Sequence, residues 1–115
     1  MARNVNDITA YLRLMVAKDG SDLYFSAGAP VHLSIHGETY PVGQHVLDGR
    51  EVRELAYSLL NDDQKAEFER NLELNLAVGF DDLGRFRINV YRQRGELAMV
   101  VRYIKSDIPS IESLG

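Results

Sequence analysis

The chain has 115 residues, of which 45% are hydrophobic and 26% are charged, values typical of one globular domain with a buried core. It has no cysteine, which excludes disulfide bonds, thiolate zinc sites and cysteine nucleophiles. The net charge of −4 argues against general nucleic-acid binding, and because no run of about 18 apolar residues occurs, we expect no insertion into a membrane.

The first half of the chain predicts one helix followed by three short strands. Apolar residues recur at helical spacing from Ile8 to Val16. Asn6 or Asp7 is a candidate cap, and Gly20 is expected to end the helix. Alternation of apolar and polar residues then predicts strands at 21–26, 31–36 and 38–42. Because Pro41 has no N–H to donate, the third strand is expected to be short or to lie at a sheet edge.

The second half predicts two consecutive helices and then three strands. The helices are predicted at 49–60 and 61–71, and the first of the strands at 72–80. Asp48 and Asn61 are the candidate caps, and Gln64 stands at the spacing of a capping box with Asn61. We expect Ala66 and Phe68 on the buried side of the second helix.

The last two strands form a hairpin within 84–105, where positive charge is concentrated. Phe86 and Ile88 alternate with arginines in the first arm, and the connector 92–95 contains a glycine that can supply a positive φ. The hairpin holds five arginines and Lys105 against one acid, Glu96, so its net charge is +5 and the rest of the chain carries −9. This asymmetry is the strongest functional feature of the sequence.

The order of the elements predicts the fold class. Runs of adjacent strands joined by short turns favour antiparallel pairing, because a parallel return requires a long crossover. We therefore expect an α+β fold, with an antiparallel sheet of about six strands and helices packed on one face.

Two arginines of the hairpin are candidates for anion binding. Arg87 and Arg102 lie on adjacent strands, each on the face opposite its apolar neighbours. A guanidinium offers a planar fork of donors that fits phosphate or carboxylate oxygens. With Arg92 and Arg94 near the hairpin tip, they could converge on one anion. A solvated strand face whose charges prevent aggregation explains the same pattern equally well.

Other residue patterns predict no catalytic or metal site. The sequence contains no phosphate loop, dinucleotide-binding motif or zinc-protease motif. His32 and His36 share a strand face about 13 Å apart, which is too far to hold one metal. His45 could form a metal site with them only if the fold happened to bring it close. The acidic residues have structural interpretations as turn and helix-start residues: Asp19, Asp22, Asp62, Asp63, Asp81 and Asp82.

Four segments together resemble a known family. They are SDLYFSAGAP at 21–30, the Gly-Glu turn at 37–38, GRFRINV at 84–90 and MVVRYI at 99–104. In order and spacing they resemble the N-terminal domain of the type IV pilus retraction ATPases, the PilT/PilU twitching-motility family of the secretion ATPase superfamily.

The resemblance implies a domain organisation. Residues 1–105 would form a PAS-like N-terminal domain, and 106–115 would begin the linker to a RecA-like ATPase domain that carries the Walker motifs. These 115 residues would then not be an enzyme by themselves, whereas the parent chain would be an ATPase that binds ATP and Mg²⁺. No cofactor is expected for the isolated domain.

The resemblance also implies partners and site residues. Members form a homo-hexamer in which the partners of each N-terminal domain are the RecA-like domain of its own chain and that of a neighbouring subunit, on which it packs. Arg87 and Arg102 match the arginines that reach the ATP phosphates, and Arg94 is a weaker match. The location implied is cytoplasmic and peripheral at the inner membrane, where the pilus platform protein is a candidate partner. Two alternatives remain at this point: a PAS-like small-ligand sensor and a pure protein-interaction module.

Overall fold

The computed structural model of the chain describes residues 8–80 and 82–104. The helices are α1 (Ile8–Ala17), α2 (Gly49–Tyr57) and α3 (Asp62–Asn71). The strands are β1 (Asp22–Phe25), β2 (Val31–Ile35), β3 (Glu38–Val42), β4 (Glu73–Phe80), β5 (Gly84–Gln93) and β6 (Glu96–Ile104). This order confirms the sequence of elements predicted. The candidate caps Asn6 and Asp7 and the linker expected at 106–115 lie outside the described residues.

The six strands form one antiparallel sheet in the order β3-β2-β1-β6-β5-β4. Two three-stranded meanders, β1-β2-β3 and β4-β5-β6, are joined where β1 pairs with β6. The third strand, with Pro41, lies at one edge as predicted. The pairing of β1 with β6 brings the first strand of the chain beside the last, at the centre of the sheet.

The three helices pack on one face of this sheet. The core between them and the sheet is apolar, and its large, fully buried side chains include Leu12, Met15, Leu23, Phe25, Leu55, Phe68, Phe86, Ile88 and Met99. Successive residues of a strand point to opposite faces, so the residues between these core positions lie on the uncovered face. The predicted α+β class is confirmed. Ala66, which we expected in the core, is exposed, whereas Phe68 is buried.

Both helices of the central segment begin with a capping box. The Asp48 side chain accepts a hydrogen bond from the Glu51 N–H at 2.8 Å, and the Glu51 side chain accepts one from the Asp48 N–H at 2.9 Å. The predicted pair Asn61 and Gln64 does the same at the start of α3. These bonds satisfy N–H groups that the first helical turn leaves unpaired.

Two helix ends differ from the prediction. The first helix ends at Ala17, and the left-handed residue that follows is Asp19 (φ 59°), not Gly20. Gly20 does take part in the helix end, because its N–H donates to the Met15 carbonyl at 2.8 Å. Its lack of a side chain has a second reason, since a Cβ there would stand 2.5 Å from Leu33 Cδ1. Leu72 was expected in the strand 72–80, but it is the left-handed C-cap of α3 (φ 60°) and is exposed.

The hairpin that carries the arginines closes more tightly than predicted. Gln93 pairs with Glu96, so the loop consists of Arg94 and Gly95 alone, with φ values of 54° and 81°. Positive φ at both positions is the geometry of a type I′ turn, whose twist matches that of the flanking strands. Arg92, expected in the connector, therefore belongs to β5.

Among the described residues, no helix combines the length and the apolar character required to cross a membrane.

Candidate functional site

The uncovered face of the sheet holds Arg87 and Arg102 side by side. The two residues are directly opposite each other in the antiparallel pairing of β5 with β6. Phe86 and Ile88 point into the core on either side of Arg87, which places the Arg87 side chain on the uncovered face. Both arginines are exposed. The structure therefore brings this predicted pair together.

The pair is electrostatically unfavourable by itself. Like charges directly opposite on neighbouring strands repel, an effect of roughly 0.2–1 kcal/mol. Asp22, one strand farther along the same row, offsets this repulsion because it lies opposite Arg102 in β1. Arg102 Nε donates to Asp22 Oδ1 at 3.0 Å. This hydrogen bond and, as the smaller cause, the attraction of the carboxylate charge raise the pKa of the Arg102 guanidinium above its ordinary value.

Arg87 has no such partner. Within residues 8–80 and 82–104, its guanidinium makes no hydrogen bond or ion pair. Its neighbour across the strand pair in β4 is Ala77, whose methyl group offers it no polar partner. A guanidinium without a protein partner retains all its donors for an external anion.

A shallow depression of about 260 Å³ lies beside the two arginines. It is lined by Asn75, Arg87, Asn89, Val100 and Arg102. The Asn89 amide donates to Asn75 Oδ1 at 2.8 Å, which holds these two side chains together across β4 and β5. The only charged groups in this lining are the two guanidinium groups, so the depression favours an anion.

Arg94 and Arg92 do not join this pair. Arg94 is at the hairpin tip, seven residues beyond Arg87, which corresponds to about 23 Å along an extended strand. Arg92 lines a different cavity of about 650 Å³ on the helix side, between α2, α3 and the hairpin. The charged residues that line that cavity are Arg50, Arg53, Arg92, Asp48, Glu69 and Glu96. Their formal charges balance, so this cavity favours no ion of either sign.

The histidines are dispersed rather than clustered. His32 lies in β2 with its Nδ1 2.9 Å from the Pro30 carbonyl oxygen, and His45 Nε2 is 2.7 Å from Glu51 Oε2. His36 is not on the strand as expected, because it occupies a left-handed position (φ 49°) in the turn between β2 and β3. The described part of the chain contains no group of three side chains placed to hold a metal ion.

Asp22 is the site residue that sequence reasoning missed. Its spacing near Gly20 predicted a turn residue, but its carboxylate binds Arg102, 80 positions away. It is also one of two buried polar residues in the described part of the chain, the other being Ser34. The alternation of Leu23 and Phe25 places Asp22 on the uncovered face, yet nothing in the sequence specifies which strand lies beside it. Of the other acids, Asp62 and Asp63 occupy the first turn of α3 as expected, and Asp82 pairs with Arg13 at 3.0 Å.

Comparison with known proteins identifies the family. No protein-family model matches the chain. The type IV pilus ATPase PilU of Pseudomonas aeruginosa is 39% identical over 103 residues, which are 90% of this chain and 27% of PilU. The type IV pilus retraction ATPase PilT of the same organism is 32% identical over 109 residues, 95% of this chain and 32% of PilT. The chain belongs to the PilT/PilU family. It corresponds to the N-terminal domain of these ATPases and spans about a third or less of their length.

A solved structure supports the same assignment. The crystal structure of the pilus retraction motor PilT with bound ADP matches 99% of this chain with a TM-score of 0.82 and 27% sequence identity. The match covers 33% of that PilT chain. The PilT-like fold therefore extends over the whole sheet that carries Arg87, Arg102 and Asp22.

Proposed function

We propose that this domain is the assembly and regulatory domain of a hexameric pilus-retraction ATPase, in which it packs on the RecA-like domain of a neighbouring subunit. Arg87 and Arg102 contact the phosphates of ATP bound there. The observation that carries the proposal is the pairing of these arginines on adjacent strands of the uncovered face. PilT, to which the chain is similar, has been crystallised with ADP.

The chemistry of the pair suits this role. In phosphoryl transfer, negative charge develops on the oxygens of the transferred group, and guanidinium groups that are already oriented stabilise it. Arg87 brings unengaged donors, and Arg102 brings a fork already held by Asp22. We assign Mg²⁺ and the remaining catalytic groups to the RecA-like domain. Arg94, far along the hairpin, would contact a different part of the neighbouring subunit rather than the same phosphate.

The proposal includes a mechanism and a location. The domain moves as a rigid body against the ATPase core through the linker expected at 106–115, and closure of the cleft brings the arginine pair to the nucleotide. The motor works in the cytoplasm at the inner membrane, against the platform protein of the pilus.

Turnover of the complete ATPase tests the arginine pair. Arg87→Ala and Arg102→Ala should each lower ATP turnover at least several-fold, because each removes a donor that acts on the developing charge. Arg50→Ala is the matched control, since it removes the same charge from an exposed helical site whose nearest partner is Glu54, and its turnover should stay within twofold of the wild type. Equal turnover in all three variants would remove the arginines from the mechanism.

A nucleotide-bound structure of the complete assembly tests the placement. The guanidinium groups of Arg87 and Arg102 should lie within hydrogen-bond distance of phosphate oxygens in at least one closed subunit interface. Guanidinium groups directed into open solvent in every subunit would contradict the proposal. The sensor alternative predicts instead that the isolated domain binds a small metabolite.

A further inference from the structure

Asp22 occupies an unusual position for a carboxylate. It is the first residue of β1, near the centre of the sheet, with β2 on one side and β6 on the other. Its side chain is 12% exposed, whereas the Arg102 side chain that it contacts is 67% exposed. A buried carboxylate is costly unless it is paired and hydrogen-bonded. The hydrogen-bond partners of Asp22 therefore indicate its role.

The partners of Asp22 fix both of its oxygens. Oδ1 accepts from Arg102 Nε at 3.0 Å, and Oδ2 accepts from the Ser21 hydroxyl at 3.3 Å. The Ser21 hydroxyl also lies 3.3 Å from the Ser34 carbonyl oxygen, on β2. The single hydroxyl hydrogen of Ser21 is shared between these two acceptors, and the Tyr24 hydroxyl also forms a hydrogen bond with Asp22. The carboxylate is thus restrained by several groups, and it presents a defined oxygen to Arg102.

The contact uses only one edge of the Arg102 guanidinium. Within the described part of the chain, Nη1 and Nη2 of Arg102 make no hydrogen bond, and the contact with Asp22 is through Nε. Two parallel N–H groups at the end of the fork are therefore left for an oxygen-bearing anion, which is the arrangement that gives bidentate phosphate contacts.

Without Asp22, Arg102 would be positioned poorly. Arg87 lies directly opposite and carries the same charge, so a long exposed side chain would turn away from it. The attraction of Asp22, on the other side of Arg102, opposes this movement. The three residues form one row across the sheet, in the order Arg87, Arg102, Asp22.

We propose that Asp22 is a positioning residue, which holds the Nε edge of Arg102 so that its Nη groups face the same phosphate as Arg87. The proposal rests on the proposed function of the arginine pair. It adds that the orientation of Arg102 is set within the domain before nucleotide is contacted. Ser21 supports the arrangement by restraining the second oxygen of Asp22.

A double-mutant cycle in the complete ATPase tests this role through kcat and KM for ATP. Asp22→Asn keeps the size of the side chain and removes its charge, and it should lower kcat/KM about tenfold, the scale of a charge-assisted hydrogen bond. In an Arg102→Ala background the same change should lower kcat/KM less than twofold, because the group it positions is gone. Asp62→Asn, the same replacement at an exposed helix start, is the control and should have little effect in either background.

The outcomes separate this inference from the proposed function. An Asp22→Asn loss of equal size in both backgrounds would indicate a general structural role and overturn the inference. So would normal activity of Asp22→Asn beside a clear loss in Arg102→Ala. No loss in Arg102→Ala would overturn the proposed function itself, and the inference with it. If Asp22→Asn does not fold, Ser21→Ala replaces it, with about a threefold loss expected in the wild type and none in Arg102→Ala.

Discussion

Arg87→Ala and Arg102→Ala should change the stability of this domain to different extents, although the two arginines are neighbours. Removing Arg87 relieves the repulsion between opposed guanidinium groups and breaks no ion pair in the described part of the chain. On the usual scale of cross-strand pairs, this relief contributes about 0.2–1 kcal/mol in favour of the folded state.

Removing Arg102 relieves the same repulsion but leaves the Asp22 carboxylate without its guanidinium. Because the Asp22 side chain is 12% exposed, water replaces that partner incompletely. Loss of one hydrogen-bond partner by a largely buried carboxylate costs about 1–3 kcal/mol. Both variants also lose the arginine stem and gain an alanine in a strand, and these common effects cancel in the comparison. The Arg102→Ala domain should therefore be less stable than the Arg87→Ala domain by about 2 kcal/mol.

Urea unfolding of the domain, followed by far-ultraviolet circular dichroism, measures this difference. At about 1 M salt the Debye length falls to about 3 Å, so the part of the Arg87→Ala effect that comes from relieved repulsion should shrink. The cost of Arg102→Ala should persist, because its origin is a buried group. Equal destabilisation by the two substitutions would refute the reasoning, since it would mean that Asp22 is not what distinguishes the two arginines.

Two further predictions concern the hairpin turn and an exposed ion pair. Gly95→Ala should lower the free energy of unfolding by about 1–2 kcal/mol, because φ at this position is 81°. An added Cβ would meet no atom within 4 Å, so the effect comes from backbone conformation alone. A loss of the same size in Gly79→Ala, in an extended strand without a positive φ, would contradict this origin. The hydrogen bond from Arg13 lowers the pKa of Asp82 below its ordinary value of 3.8. The pair therefore stabilises the fold at neutral pH, and this contribution is lost as the pH falls through the lowered pKa. The stability difference between wild type and Asp82→Asn, measured by denaturation at pH 7 and pH 2, should therefore disappear at the lower pH, and a difference that is the same at both pH values would exclude the pair as its source.

Local patterns predicted the hairpin and its charged face. Period-two alternation alone assigned Phe86 and Ile88 to the core, and Arg87 and Arg102 to the opposite face, as the structure has them. The partner of Arg102 depended on the length of the loop. A four-residue connector at 92–95 would have set Arg102 opposite Arg85, and the two-residue turn sets it opposite Arg87. A change of two residues in the register preserves the face but changes the neighbour.

The errors of the sequence analysis have a common physical cause. Ala66 was assigned to the core from helical spacing, but the orientation of α3 on the sheet exposes it. Gly20 was expected to end the first helix, and its N–H does bond the Met15 carbonyl there, but its lack of a side chain is explained by contact with Leu33 in β2. Each depends on how elements pack, and packing is not encoded in the spacing of residues within one element.

The sequence by itself determined the elements, their order, the α+β class and the candidate arginines, because the alternation of side chains and the caps of helices act over a few residues. Tertiary structure alone decided that β1 lies beside β6, and so placed Asp22 against Arg102 across 80 positions. It also separated Arg94 from the pair. Arg94 lies in the two-residue turn, at the far end of the extended strand that carries Arg87. Strand neighbours are set by the burial of the whole apolar face, which no single segment specifies.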